Sequence, residues 1–226
     1  MTPRPYQEEG RDFLAANTRA LLADEMRVGK TPQAILAADK IGARRVLTTC
    51  PAIALDHWVS EWARWSPSRP PAHVVSGMSG WIPDDRPLVA SYNATVSRRD
   101  ELRALDLDVY IPDECHFAGN PNAQRTAAVW STEGVAHAAA NLWPLSGTPA
   151  PKSAASLWPM LRAFGKTPLD YDQFVRRYCR TAPGGVILGT KDECYEIQEL
   201  RTINRSCSLR RTRAQVAPDM PAIDFQ

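Results

Sequence analysis

The chain has 226 residues, 44% hydrophobic and 23% charged, with a formal net charge of +2. This is the composition of an ordinary globular protein long enough to bury a sizeable core. No run of about 18 or more apolar residues appears, so neither a membrane span nor a membrane partner is expected, and the N-terminus lacks the apolar core of a secretion signal. Cys50, Cys115, Cys179, Cys194 and Cys207 form no C-x-x-C pair and no metal-like spacing, which reads as reduced thiols in a cytoplasmic protein. Of the 27 cations, 22 are arginine. The densest cluster, Arg201, Arg205, Arg210, Arg211 and Arg213, reads first as a solvated face and second as a phosphate contact.

Along the chain, short apolar runs alternate with helix-length amphipathic segments, the pattern of a mainly parallel sheet flanked by helices and hence of an α/β fold. Helices are expected at 7–16, 30–40, 55–65, 123–130 and 153–164. Strands are expected at 20–23, 45–49, 73–76, 88–91, 109–111 and 142–145. Pro32 falls in a first helical turn, where a missing N–H is harmless. Trp58, Trp62 and Trp65, at i, i+4 and i+7, share one helix face and read as core packing. Beyond about Gly165 the pattern loosens. Pro183-Gly184-Gly185 marks a turn in a hairpin with 186–188, a helical stretch spans about 193–209, and the tail from Pro218 resembles a linker.

Three stretches carry chemistry. Leu21 to Thr31, LLADEMRVGKT, leads an apolar run into Gly29-Lys30-Thr31, as a strand leads into a loop that cradles phosphates. Free N–H groups at the start of the next helix suit anionic oxygens. In that role Lys30 reaches the β/γ-phosphates and the Thr31 hydroxyl ligates Mg²⁺. The strict pattern G-x-x-x-x-G-K-[ST] asks for glycine where this chain has Asp24, and Arg27 places a bulky side chain two residues before Gly29. Taken alone, the tripeptide also fits a turn with an exposed lysine. Further on, Asp113-Glu114-Cys115-His116 follows an apolar strand. Carboxylates there suit Mg²⁺ binding by Asp113 and activation of water by Glu114, although the pair alone also fits a helix N-cap. Ser146-Gly147-Thr148-Pro149 then closes another strand, a position that also fits a plain strand–turn–helix corner. In this order and at these spacings the three reinforce one another.

Together they resemble the first RecA-like lobe of the Snf2 group of superfamily 2 helicase-like ATPases. The resemblance runs through Arg4-Pro5-Tyr6-Gln7, the loop from Asp24 to Thr31, Cys50-Pro51-Ala52 with Trp58 and Glu61-Trp62, and Asp113 to His116. It continues through Asn120-Pro121-Asn122, Ser146 to Pro149, and LRRTRAQVAPDMP from Leu209 to Pro221. That family begins its loop with aspartate, so Asp24 is expected. Arg27 departs from the family's glycine and calls for a negative φ or a shifted loop, with the guanidinium pointing outward. Cys115 replaces alanine, and Ala118-Gly119 replace Leu-Lys.

The resemblance implies a RecA-like P-loop NTPase domain with a helical C-terminal extension: a core over 1–164, a helical and hairpin extension over 165–213, and a linker over 214–226 towards a second lobe. It implies ATP and Mg²⁺ as ligands. Gln7, helped by Arg4 and Tyr6, would read adenine; Arg27, Val28, Gly29, Lys30 and Thr31 would hold the phosphates; Thr31 and Asp113 would hold the metal. Lys30, Asp113 and Glu114 would act in hydrolysis. His116, Ser146, Gly147 and Thr148 would couple hydrolysis to movement. Pro51, Ala52, Ser91 and Tyr92 would touch the nucleic-acid backbone, with a capped strand end the other reading of Ser91 and Tyr92. Arg210 and Arg211 would lie between lobes.

The implied activity is that of an ATP-dependent translocase on double-stranded DNA, with RNA left open. A second lobe, on the same or a separate polypeptide, would supply an arginine to the transferring phosphoryl group. A strand-separating helicase and a non-hydrolysing interaction module are the alternatives. Arginine- and alanine-rich composition with few insertions points to a bacterial or phage source and a cytoplasmic location.

Overall fold

The computed structural model describes residues 1–78 and 80–216. Nine strands are placed: β1 (Leu21–Leu22), β2 (Val46–Cys50), β3 (His73–Val75), β4 (Leu88–Ser91), β5 (Val109–Pro112), β6 (Asn141–Leu142), β7 (Cys179–Thr181), β8 (Ile187–Thr190) and β9 (Ser208–Leu209). Five of them form a parallel sheet in the order β3-β4-β2-β5-β6. Isolated bridges Arg19↔Leu142 and Leu22↔Leu145 set β1 beside β6, and β9 pairs with the far side of β1, Leu21↔Ser208 and Leu22↔Leu209. The strand that carries the phosphate loop is therefore flanked on both sides.

The period-two alternation of strand side chains divides the interior into two layers. On one face Leu22, Val46, Val89, Val109 and Ile111 pack with Leu14, Ile35, Trp58 and Trp62. These last four come from the helices α1 (Pro5–Ala15), α2 (Lys30–Lys40) and α3 (Leu55–Trp65). On the other face Leu21, Leu47, Leu88, Ala90 and Tyr110 pack with Phe174, Tyr178, Ile197 and Leu200 of the C-terminal extension. Every residue of β2 is buried, as a central parallel strand covered on both faces must be.

The expected strands and longer helices appear within a few residues of the sequence reading, and the hairpin forms from the antiparallel pair β7 and β8. Four differences have physical causes. Two short helices, Tyr92–Ser97 and Arg99–Arg103, follow β4; neither is long enough to display a helical period. The helix Tyr171–Tyr178 starts at a capping box in which Asp170 accepts from Gln173 N and Gln173 returns the bond. The stretch 153–164 begins as a 3₁₀ turn over Ala154–Leu157 before the helix Trp158–Ala163. The last expected helix ends at Arg205, and residues 208–209 are a strand because the open edge of β1 takes Cys207 O and Leu209 O as acceptors from Leu21 N (2.8 Å) and Ala23 N (2.7 Å). Of the expected linker over 214–226, residues from Ala217 onward lie outside the described residues.

One glycine is set by close approach. Gly10 lies inside α1, where alanine is the better helix former by about 1 kcal/mol. A Cβ there would stand 1.6 Å from Gln33 Oε1 and 2.9 Å from Arg211 Nη2. We expect Gly10→Ala to destabilise the chain by about 1–3 kcal/mol in spite of its helix propensity, measured by urea denaturation. An unchanged or raised midpoint would show that Gln33 and Arg211 can be displaced at little cost.

Candidate nucleotide-binding site

The loops at the carboxyl ends of β1, β5 and β6 meet at one edge of the sheet, where ligands of open α/β sheets bind. The phosphate loop follows β1. Gly29, at φ 81°, opens α2, and Lys30 is buried at its first position. Lys30 Nζ donates to Asp24 O (2.9 Å) and Glu25 O (3.3 Å), so the ammonium sits within its own loop. Burial lowers its pKa, an effect opposed by the nearby Glu114, Asp113 and Asp24. Val28 is buried, its N–H closing a turn to Glu25 O. A Cβ on Gly29 would stand 2.5 Å from Gln7 Nε2, so the Gln7 amide lies against the loop. Gln7 Oε1 accepts from Arg4 N (2.9 Å).

Arg27 takes neither of the expected courses. Its φ is 65°, so the loop keeps a left-handed backbone there and arginine carries the strain that glycine would avoid. The side chain is exposed and has no hydrogen-bonding partner among the described residues.

Asp24 is fully buried and is met by a charge from the other end of the chain. Arg211 donates to it from its backbone N (2.9 Å), Nε (3.1 Å) and Nη2 (2.5 Å). Gln33 joins the cluster by donating to Asp24 Oδ2 and accepting from Arg211 Nη2. Arg211 also donates to Tyr6 O and lies over the Tyr6 ring, and Arg210 donates to Ala23 O and Gly147 O, both at 3.1 Å. Arg210 and Arg211, expected between lobes, bond within this one: a buried aspartate and strand-end carbonyls need donors, and these arginines supply them.

Asp113 and Glu114 follow β5. Asp113 Oδ2 accepts from Trp58 Nε1 (2.8 Å) and Oδ1 from Glu114 N (2.9 Å). Burial raises the Asp113 pKa, and the Trp58 bond opposes that shift. Glu114 has φ 47°, a conformation that costs a non-glycine residue of order 1–3 kcal/mol and clusters at functional sites. Its side chain does not cap the following turn. Glu114 Oε2 instead lies 3.2 Å from His116 Nδ1 and 3.4 Å from Ser146 Oγ. The His116 bond lowers the Glu114 pKa against the effect of burial. Ser146 Oγ also contacts His116 Nδ1 (3.0 Å) and accepts from Thr148 N (3.2 Å). A Cβ on Gly147 would stand 3.1 Å from Met26 Cγ and 3.2 Å from Met26 N, so the loop after β6 touches the phosphate loop.

Among the described residues, no group of three or more His, Cys, Asp or Glu could cage a metal unaided. Mg²⁺ keeps several of its waters and takes one or two carboxylates together with substrate phosphates. The oxygen donors Thr31 and Asp113 fit that role. The remaining expected positions divide. Pro51 and Ala52 form a turn after β2, with Ala52 and Ile53 exposed. Ser91 Oγ caps the helix that follows by accepting from Ala94 N. Tyr92 is buried and donates its hydroxyl to Asp113 O (2.8 Å), so it braces the carboxylate strand and does not face outward. All five cysteines are free, and burial pushes the Cys50 thiol up to about 12.

Sequence reasoning read Trp58 as core without its bond to Asp113, and missed Gln33 and the partner of Asp24. The signal for the last was present, because an aspartate inside an apolar strand-to-loop stretch demands a cation.

The model of the SNF2-related domain matches residues 6–224. The chain belongs to that family. A SWI/SNF-related matrix-associated actin-dependent regulator of chromatin subfamily A-like protein 1 homolog from Caenorhabditis elegans is 31% identical over 96% of this chain and 32% of its own length. Helicase swr-1 of Neurospora crassa is 28% identical over 98% of this chain and 13% of its own. The chain thus spans about a third or less of these curated relatives. The Sulfolobus solfataricus SWI2/SNF2 ATPase core in complex with dsDNA superposes with a TM-score of 0.76 at 22% identity, over 94% of this chain and 45% of that one. The likeness bears out the RecA-like fold. The bacterial or phage source and cytoplasmic location are overturned, since these curated relatives are eukaryotic and the first is a regulator of chromatin. Arginine content carries no information about compartment.

Replacing Arg211 by alanine leaves Asp24 buried without its cation, and we expect a loss of about 3–5 kcal/mol by chemical denaturation. A loss below about 1 kcal/mol would mean that water or Gln33 replaces the guanidinium. Arg27→Gly relieves the left-handed strain and is expected to raise stability by about 0.5–1 kcal/mol in the same assay.

Proposed function

We propose that the chain is the nucleotide-binding lobe of an ATP-driven motor that moves on double-stranded DNA. The observation that carries this is the meeting of Lys30, Asp113 and Glu114 at one sheet edge, with Glu114 bonded through His116 to Ser146. Lys30 leaves the carbonyls of Asp24 and Glu25 for the phosphates, a move favoured because the carbonyls are neutral acceptors and the phosphates are anionic. Glu114, held as a carboxylate by His116, orients the attacking water and takes its proton. Thr31 and Asp113 would hold Mg²⁺ together with the substrate phosphates, where it would supply neutralisation of phosphoryl charge. Gln7, with Arg4 and Tyr6 beside it, takes the adenine. His116, Ser146, Gly147 and Thr148 relay the state of Glu114 to Met26 in the phosphate loop.

Duplex DNA as the track rests on the dsDNA complex of the Sulfolobus core and on the chromatin regulators among the relatives. The exposed turn at Pro51 and Ala52 is the backbone-contacting face on this lobe. Arg210 and Arg211 are occupied within the lobe, so a second RecA-like lobe supplies the cation that stabilises the transition state, worth about 10³–10⁵ in rate in related GTPases. The strained Arg27 supports a second reading, in which the fold serves interaction without hydrolysis.

The test joins the chain to a second lobe and measures duplex-stimulated ATP hydrolysis. Glu114→Gln is expected to lower turnover by about 10²–10⁴ while nucleotide affinity stays within about twofold, and Lys30→Ala is expected to lose nucleotide binding. Wild-type turnover by Glu114→Gln would remove Glu114 from the chemistry. Absence of nucleotide binding by the unmodified chain would favour the interaction reading.

A further inference from the structure

Trp58 shares a helix face with Trp62 and reads from sequence as core. Both side chains are fully buried in the same apolar layer, yet their indole N–H groups differ. Trp62 Nε1 finds no acceptor among the described residues. Trp58 Nε1 ends on Asp113 Oδ2 at 2.8 Å. Other buried tryptophans donate to backbone carbonyls: Trp130 to Ala118 O and Trp143 to Asn17 O. Trp58 thus joins α3 to the carboxylate at the end of β5, across 55 residues of chain.

The carboxylate is held from both sides. Glu114 N takes Oδ1 at 2.9 Å and Trp58 takes Oδ2, while Tyr92 fixes the backbone through Asp113 O. Each carboxylate oxygen has two lone pairs, so each keeps one for another donor or a cation. Rotation about χ1 or χ2 would break at least one of these bonds inside a buried layer.

We propose that Trp58 is a positioning residue for metal binding, its indole N–H locking the Asp113 carboxylate in the orientation that receives Mg²⁺. The proposal rests on the reading of Asp113 as the Mg²⁺ carboxylate, and the experiment separates the two. Partners that orient a ligand without touching the metal typically contribute 10–100-fold to metal affinity.

The measurement is the Mg²⁺ concentration at half-maximal tightening of fluorescent ADP binding to the full chain, alongside ADP affinity in EDTA and thermal unfolding. Trp58→Phe keeps an aromatic ring in the layer and removes the donor. We expect its Mg²⁺ midpoint to rise about tenfold or more while ADP affinity in EDTA stays within twofold; a purely packing role would not move the metal midpoint selectively. Asp113→Asn is run in parallel. If Asp113→Asn raises the midpoint and Trp58→Phe does not, the positioning role is overturned and the reading of Asp113 stands. If neither raises it, or if ADP affinity of the unmodified chain ignores Mg²⁺, both fall. Should Trp58→Phe fail to fold, benzothienylalanine at position 58, the same bicycle with sulfur in place of the N–H, repeats the test at constant shape and decides it by the same outcomes.

Discussion

The structure depends on one buried ion pair. Asp24 and Arg211 are 187 residues apart in sequence, and their contact fixes how the last strand meets the first. The pairing of β1 with β9 contains only two residues on each strand, too few for side-chain alternation to set register. Register comes instead from polar groups just beyond it. Arg211 N donates to Asp24 Oδ1, and Glu25 N donates to Arg211 O at 3.0 Å. A slip of one residue would remove the guanidinium from a carboxylate that has no access to water. Two apolar residues could fill the same volume at similar or greater stability, so the pair matters chiefly for placement. That placement includes Tyr6, Gln33 and the start of the phosphate loop, all of which Arg211 or Asp24 touches.

Placement constrains the loop. With Asp24 anchored at one end and Lys30 buried at the other, the five residues between them must turn within a fixed span. Arg27 and Gly29 both take positive φ to do so. Glycine at 29 meets this at no steric cost and also admits Gln7. Arginine at 27 meets it at a cost that the surrounding contacts bear. Strain recurs across the site at Glu114, where the left-handed backbone turns the side chain away from capping and towards His116 and Ser146. Two of the three non-glycine residues with positive φ in the described chain thus belong to this one edge of the sheet.

The sequence displayed those parts whose signals are local. Gly29-Lys30-Thr31 after an apolar run, Asp113-Glu114 after another, and helices α2 and α3 long enough to show their period were all readable. What it hid was decided by tertiary contact. Ser208–Leu209 has no strand character of its own and becomes a strand at the edge of β1. Arg211 resembles any other arginine in a basic cluster until Asp24 is seen to be buried. Tyr92 sits where a surface contact was expected, yet its ring is buried and its hydroxyl is taken by Asp113 O. Trp58 shows the limit most clearly, because its spacing correctly predicts burial but periodicity says nothing about where an indole N–H points.

The charges around the proposed phosphate position carry a mechanistic consequence. Asp24, Asp113 and Glu114 bring three negative charges, and Lys30, Arg210 and Arg211 bring three positive ones. Two of those cations, Arg210 and Arg211, are already bonded within the lobe, and burial weakens the hold of the third on its proton. A triphosphate arriving at this edge would therefore meet near balance among these six groups, with Arg27 a further cation that has no hydrogen-bonding partner among the described residues. In a low-dielectric cleft such balance favours the arrival of additional positive charge together with the anion. On the proposed reading Mg²⁺ would supply part of it and a second lobe the rest. Closure of two lobes would then be driven by the nucleotide itself, because only the bound anion leaves this edge with charge for an incoming arginine to neutralise.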